Sequence, residues 1–142
     1  MERVLLAAGV VAVAAVIAIV VERRKPAAPT QPSWTAPSQL DRDDFDGPAT
    51  PWLLAVFTSA TCDSCGAAVQ KANVLASDDV VVQDIEVSAR KDLHDRYGID
   101  AVPLILLADA DGVVRKSFAG PPSATDLWAA VAEAREAEGS AS

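Results

Sequence analysis

Two cysteines, Cys62 and Cys65, are the residues whose type and spacing indicate chemistry in this 142-residue chain. They form a Cys-x-x-Cys that follows an apolar run at residues 52–57, which is typical of a strand buried on both faces. Thiol–disulfide exchange needs an accessible thiolate, and a helix N-terminus stabilises one through its partial positive charge and free N–H groups. The sequence predicts a helix that begins near Cys62, with Thr61 as its N-cap. Cys62 would then attack a substrate disulfide, and Cys65, one turn further along, would resolve the mixed disulfide.

The same cysteine pair has two other interpretations. A structural disulfide across so short a loop would gain little from the loss of chain entropy. A closed zinc site needs four ligands, whereas the chain has one cysteine pair and one histidine, His94, which its charged segment places in solvent. Zinc would therefore require two chains that share a site. We expect no metal and no organic cofactor, because the dithiol carries the electrons, and we expect as partners protein thiols or disulfides and a reductase that reloads the pair.

The elements around the cysteines alternate between strand and helix. The predicted order is strand 52–57, a helix from Cys62 to about Ala76, strand 80–87, helix 90–97, strand 102–107, strand 113–118 and a last helix opened by the capping box Ser123-x-x-Asp126. Such alternation indicates parallel pairing with helices on both faces, plus one antiparallel hairpin at residues 109–112. We therefore predict an α/β fold.

Three motifs in residues 52–135 resemble the thioredoxin family. They are Phe57-Thr-Ser-Ala-Thr-Cys-Asp-Ser-Cys65, Tyr97-Gly-Ile-Asp-Ala-Val-Pro103, and the pair Asp111-Gly112 with the following Gly120. The resemblance implies a thioredoxin-like fold with a mixed central sheet and helices on both faces. It also implies a cis bond at Val102–Pro103, opposite the redox pair, where nearby backbone groups bind an extended substrate. Val102, Pro103 and Thr61 are accordingly the predicted substrate-binding residues.

The sequence departs from the family pattern around the redox pair. Asp63 and Ser64 stand where thioredoxin usually has Gly-Pro, and the negative charge of Asp63 opposes formation of a thiolate at Cys62. The family's buried acid, which assists proton transfer to the second cysteine, is Val56 here, so Asp84 on the neighbouring strand is the candidate replacement. These departures leave open a non-enzymatic module that uses the groove near Pro103 to hold a partner.

The first part of the chain predicts a membrane anchor. Residues 4–21 hold no charge and no proline, and 18 residues in a helix span about 27 Å, which is enough to cross a bilayer core. A cleaved signal peptide is the competing interpretation. Residues 22–37 form a Pro-rich linker, residues 38–138 the thioredoxin-like domain, and residues 139–142 a disordered tail.

Charge bears on membrane orientation and on partners. Arg3 precedes the apolar segment and Arg23, Arg24 and Lys25 follow it, so the positive-inside rule places the domain in the cytoplasm of a single-pass protein. An extracytoplasmic domain, which would serve envelope or cytochrome thiol chemistry, is the alternative. Residues 38–142 hold eight Lys or Arg and eighteen Asp or Glu, a net charge of −10, which disfavours nucleic acid as a partner.

Overall fold

The computed structural model describes Met1, residues 13–15 and residues 35–141. Residues 13–15 are helical, and the rest of the predicted anchor at 4–21, with most of the linker at 22–37, lies outside the described residues. Among the residues that are described, no helix has both the length and the apolar character needed to cross a membrane. The anchor therefore stays a prediction.

A mixed four-stranded sheet organises residues 35–141, with the strand order β2-β1-β3-β4. The elements are a 3-10 helix (Arg42–Asp44), β1 (Trp52–Thr58), α1 (Cys65–Asn73), β2 (Val80–Glu86), α2 (Lys91–Arg96), β3 (Leu104–Ala108), β4 (Val114–Ala119) and α3 (Ala124–Ala141). The predicted α/β class and the predicted order of strands and helices are confirmed.

Strand β1 is the centre of the core, and all seven of its residues are buried. Because successive side chains of a strand point to opposite faces, Leu54 and Val56 pack in one apolar cluster with α1 and α3. Leu53 and Phe57 pack in the other cluster, which includes Leu93 of α2. Helices therefore cover both faces, as predicted, and the rigid β1 ends directly before the loop that carries Cys62.

The pairing of β3 differs from the prediction. β2 runs parallel to β1, but β3 runs antiparallel to it, with Leu104 opposite Phe57. α2 has six residues and is about 9 Å long, whereas a seven-residue strand spans about 23 Å. So short a helix does not return the chain to the other end of the sheet, and β3 therefore enters at the end where β2 leaves.

The last helix begins as predicted and ends later. The Ser123 hydroxyl accepts a hydrogen bond from the Asp126 amide (3.1 Å), as in the predicted capping box, and the Asp126 carboxylate accepts from the Ser123 hydroxyl (2.7 Å) instead of from the Ser123 backbone amide. α3 then continues to Ala141. Residues 139–141, which the sequence predicts to belong to a disordered tail, are thus part of this helix in the structure.

The prediction of a solvated His94 is wrong. The side chain is 5% exposed, its Nε2 lies 2.8 Å from the Ile85 carbonyl oxygen, and its ring packs edge-on against Phe57 at a centroid distance of 5.2 Å. In so short a helix the residue next to Leu93 also faces the sheet, and its polar ring nitrogen is satisfied by a backbone carbonyl. Within the described part of the chain, no group of three or more His, Cys, Asp or Glu is placed to hold a metal ion.

Candidate active site

The cysteines lie in the loop that joins β1 to α1. The chain turns at this loop through two bonds, from the Cys62 amide to the Ser59 carbonyl (3.1 Å) and from the Cys65 amide to the Cys62 carbonyl (3.4 Å). α1 therefore begins at Cys65 and not at Cys62, and Ser64 is its N-cap. The predicted start at Cys62 is wrong by three residues, because the chain forms a separate turn over 62–65 before the first helical bond.

Cys62 and Cys65 are joined by a disulfide, with their Cα atoms 5.5 Å apart. Cys62 is partly exposed, whereas Cys65 is only 3% exposed. An attacking thiolate must be reachable by a partner, and a resolving thiol works from within after a mixed disulfide has formed. The two exposures therefore suit the roles of attack at Cys62 and resolution at Cys65.

Both cysteines line one open groove of about 550 Å³. Its acidic side chains are Asp63, Asp84 and Glu86, and none of the described residues that line it is Lys, Arg or His. Asp63 is exposed and makes no hydrogen bond or ion pair with the described residues. A thiolate that forms in this groove therefore faces negative charge without a neighbouring cation.

Glu86 ties the cysteine loop to the end of β2. Its Oε1 accepts from the Ala60 amide (3.2 Å), and its Oε2 accepts from the amides of Ser88 (3.0 Å) and Ala89 (3.1 Å). The Ser88 hydroxyl also donates to Oε2. This hydroxyl bond is the largest cause that lowers the pKa of Glu86 below its usual value, and the amide bonds add to it. The sequence interpretation missed this residue, although its place at the end of a strand beside β1 was a signal that could have found it.

The predicted substrate-binding residues lie near the groove but do not line it. The Val102–Pro103 bond is cis, as the resemblance implied, and the Pro103 carbonyl accepts from the Gly120 amide (2.9 Å). Leu104 follows and pairs with Phe57, so this bond lies at the sheet end from which the cysteine loop departs. Thr61 is exposed, with its hydroxyl 3.1 Å from that of Ser59.

Solved structures share this architecture. The germline-specific thioredoxin Deadhead from Drosophila melanogaster is 21% identical, with a TM-score of 0.55 over 64% of this chain and 88% of that one. The domain has the thioredoxin fold. Mitochondrial thioredoxin 3 from Saccharomyces cerevisiae is also 21% identical, with a TM-score of 0.51 over 59% and 79% of the two chains. A thioredoxin-2 described as a component of malaria parasite protein secretion machinery is 14% identical, with a TM-score of 0.52 over 58% and 82%.

No protein-family model matches the sequence, and no curated protein matches it. The likeness to known proteins is therefore a likeness of fold. Within that fold, the Cys62–Cys65 disulfide and the groups around it determine what chemistry the domain can do.

Asp84 lies on the groove side of the thioredoxin fold. It pairs in register with Val56, and register partners in parallel strands point to the same face, here the face that α1 covers. Val56 is fully buried, whereas Asp84 is exposed and accepts a hydrogen bond from the Thr58 hydroxyl (2.5 Å). The structure thus brings Asp84 into the same groove as Cys65, one strand away from the buried position at 56.

Proposed function

We propose that this protein is a membrane-anchored thiol–disulfide oxidoreductase that reduces or exchanges disulfides of protein partners through Cys62 and Cys65. The observation that carries the proposal is the disulfide itself. It joins a partly exposed cysteine to a buried one at the start of a helix, and both line an open groove on a thioredoxin fold. A disulfide that only stapled the loop would have no need of that difference in exposure.

The exchange takes place in two displacements. The Cys62 thiolate attacks one sulfur of the substrate disulfide, a bond forms between them, and the other substrate sulfur leaves as a thiolate that takes up a proton. The Cys65 thiol then loses its proton and attacks Cys62, which releases the second substrate sulfur with its electron pair. The substrate gains two electrons and two protons, and the protein dithiol becomes the Cys62–Cys65 disulfide. A reductase of the dithiol class returns the pair to its reduced form.

We assign to the Asp84 carboxylate the role of the base that accepts the proton of the Cys65 thiol. Its exposed carboxylate lines the same groove as the Cys65 sulfur, and the Thr58 hydroxyl orients one of its oxygens. Substitution of Asp84 by Asn keeps the shape and removes the base. It should slow the second displacement, so that mixed disulfides between Cys62 and the substrate persist longer than in the unaltered protein.

The reduction potential of the pair tests the enzymatic proposal. The full-length chain, in a detergent with an uncharged headgroup, is equilibrated with glutathione buffers, and its thiols are counted by alkylation. A value near or below roughly −250 mV supports a reductase on the cytoplasmic face, whereas about −150 mV supports an oxidising role outside it. A pair that never equilibrates would remove the enzymatic proposal and leave a binding module, a role that the apolar Val56 favours.

Membrane sidedness requires its own test. The positive charges at residues 23–25 support a cytoplasmic domain. A maleimide that does not cross membranes should leave Cys62 unlabelled in intact reduced cells and label it after lysis. Labelling before lysis would place the domain outside and favour an envelope or cytochrome thiol reductase.

A further inference from the structure

Ser64 has an unusual position for a helix-capping serine. It is the N-cap of α1, yet its side chain makes no capping hydrogen bond. An N-cap serine normally uses its hydroxyl to accept from a free amide of the first helical turn. The half-buried Ser64 hydroxyl instead lies 3.8 Å from the Cys62 sulfur.

The direction of this contact follows from the chemistry of the sulfur. Cys62 is in a disulfide, so its sulfur has no hydrogen, and the Ser64 hydroxyl is the donor. A neutral sulfur is a weak acceptor. When the disulfide is reduced and Cys62 ionises, the acceptor becomes an anion, and a hydrogen bond to a charged group is roughly twice as strong as one to a neutral group.

The surroundings of Cys62 offer little other support for a thiolate. Cys62 precedes the first residue of α1 by three positions, and the effect of the helix dipole declines away from the first turn. The charged side chains that face the groove are Asp63 from the cysteine loop and Asp84 and Glu86 from β2, all of them acids. From α1 the groove is lined by uncharged residues, Cys65, Gly66, Val69 and Gln70.

We propose that Ser64 is a catalytic residue, whose hydroxyl donates a hydrogen bond to the Cys62 thiolate and so keeps it reactive in an acidic groove. The inference rests on the proposed function, because only an exchanging cysteine needs its thiolate. The position that usually carries proline in thioredoxin thus supplies a donor in this chain. The Ser64 backbone is helical (φ −91°, ψ −10°) and not extended as in a capping serine, which leaves its hydroxyl clear of the helix amides and close to the sulfur.

The test is the pH dependence of Cys62 alkylation. The reduced full-length chain reacts with iodoacetamide from about pH 5 to 10, a range that covers free and stabilised thiolates, and peptide mapping separates Cys62 from Cys65. Ser64→Ala should move the Cys62 profile to higher pH and slow the reaction at about pH 7 by roughly ten- to a hundredfold, the effect of one hydrogen bond to a charged group. Ser64→Thr, which retains a hydroxyl, should restore most of the rate.

Two further variants serve as a second test of the Ser64 hydroxyl and as a matched control. Ser64→Gly also removes the hydroxyl and is well accepted at an N-cap, so it carries the test if Ser64→Ala does not fold. Ser59→Ala is the matched control, because the Ser59 hydroxyl is in the same loop and contacts Thr61 instead of the sulfur. Its profile should coincide with that of the unaltered chain.

Two results would overturn the assignment. One is a Cys62 profile that does not move in Ser64→Ala or Ser64→Gly, and the other is a shift of equal size in Ser59→Ala. Alkylation needs no protein partner, so this readout is independent of the proposed function. A chain that fails to exchange with glutathione but shows the Ser64 shift would lose the oxidoreductase role and keep the hydrogen bond.

Discussion

The two ends of the sheet differ in whether their charged side chains have charged or polar partners. At the end where β3 leaves and β1 begins, Arg42 is buried and donates to the carbonyl oxygens of Asp109 (2.8 Å), Gly47 (3.0 Å) and Thr50 (2.9 Å). Burial lowers the pKa of Arg42 from its usual value, and the charge of Asp109 counteracts that effect. The Asp109 carboxylate is itself paired with Arg115 (2.6 Å). The Arg42 guanidinium is thus held by three backbone carbonyls, with only its Nε lacking a partner among the described residues, and it holds this part of the chain together.

At the other end of the sheet, the acidic side chains have no basic side chain beside them in the described part of the chain. The groove at Cys62 and Cys65 is lined by Asp63, Asp84 and Glu86 and, among the described residues, by no basic side chain. None of these acids forms an ion pair with a described residue, and the hydrogen bonds of Asp84 and Glu86 are to amides and hydroxyls. The comparison indicates that charged groups at the Arg42 end are used to hold the chain together, whereas those at the cysteine end face an open groove.

The largest effect should come from the cysteines. Cys62→Ser removes the nucleophile and should lower the rate of disulfide exchange by at least about a thousandfold, as loss of a catalytic nucleophile does. Cys65→Ser should still attack a substrate but should accumulate the mixed disulfide, which non-reducing gels detect. Equal loss in both variants, without a trapped species, would contradict the division into attack and resolution.

Next in size is a loss of stability at the opposite end. Arg42→Met leaves three buried or half-buried carbonyl oxygens without their donor, so the free energy of unfolding should fall by about 3 kcal/mol. Urea denaturation followed by tryptophan fluorescence measures this change, and the rate of exchange in native buffer should stay the same.

Arg135→Met is the matched control for Arg42. Arg135 is exposed and pairs with Asp79 at 3.8 Å, an ion pair of a kind that contributes about 0–1 kcal/mol. If Arg135→Met were as costly as Arg42→Met, burial would not be what distinguishes the two arginines. If Arg42→Met changed the exchange rate, the two ends would be coupled.

A smaller loss is expected at Tyr97, which connects the 3-10 helix of Arg42 to the segment before Pro103. The Tyr97 hydroxyl donates to the Asp44 carboxylate and accepts from the Asp41 amide (3.0 Å). Tyr97→Phe should therefore lower the free energy of unfolding by about 1 kcal/mol and leave exchange unchanged.

The Tyr97 hydroxyl also predicts a pH dependence. Burial, followed by the hydrogen bond to Asp44, raises the pKa of Tyr97 above its usual value of 10.0. Its contribution is thus complete below about pH 10 and is lost as pH rises further, because the unfolded chain ionises first. The difference between the unaltered chain and Tyr97→Phe should shrink above that pH in denaturation curves. A constant difference would mean that the hydroxyl titrates alike in both states.

The smallest effect is expected from a single charge in the groove. Asp63→Asn removes a negative charge next to Cys62 and should speed Cys62 alkylation at neutral pH by about two- to threefold. Asp78→Asn is the control, because Asp78 is also exposed and lies two residues before Val80, which pairs with Trp52 at the opposite end of the sheet. Equal rates for both variants would show that the groove charge does not act on the thiol.

Local patterns in the sequence predicted much of this structure. The uninterrupted apolar run at β1 indicates a strand buried on both faces, the Ser123–Asp126 capping box marks the start of the last helix, and the spacing of Cys62 and Cys65 permits a disulfide. Each of these follows from residues that are close in the chain. The membrane anchor at 4–21 is of the same kind and stays a prediction.

Other features required the folded chain. The antiparallel entry of β3 depends on how short α2 is, and the burial of His94 depends on a carbonyl of β2 that satisfies its ring. The start of α1 at Cys65 depends on the turn over 62–65. That turn places the Ser64 hydroxyl at a sulfur and not at a helix amide.

The sequence by itself determined that two cysteines would follow a buried strand, because hydrophobic periodicity and residue spacing act locally. Only the tertiary structure decided what surrounds them. Asp84 and Glu86 reach the groove because β2 pairs with β1 in a register that brings residues far apart in the chain to one sheet end. Such proximity is set by strand pairing and packing across the whole domain, and no local pattern of residues contains it.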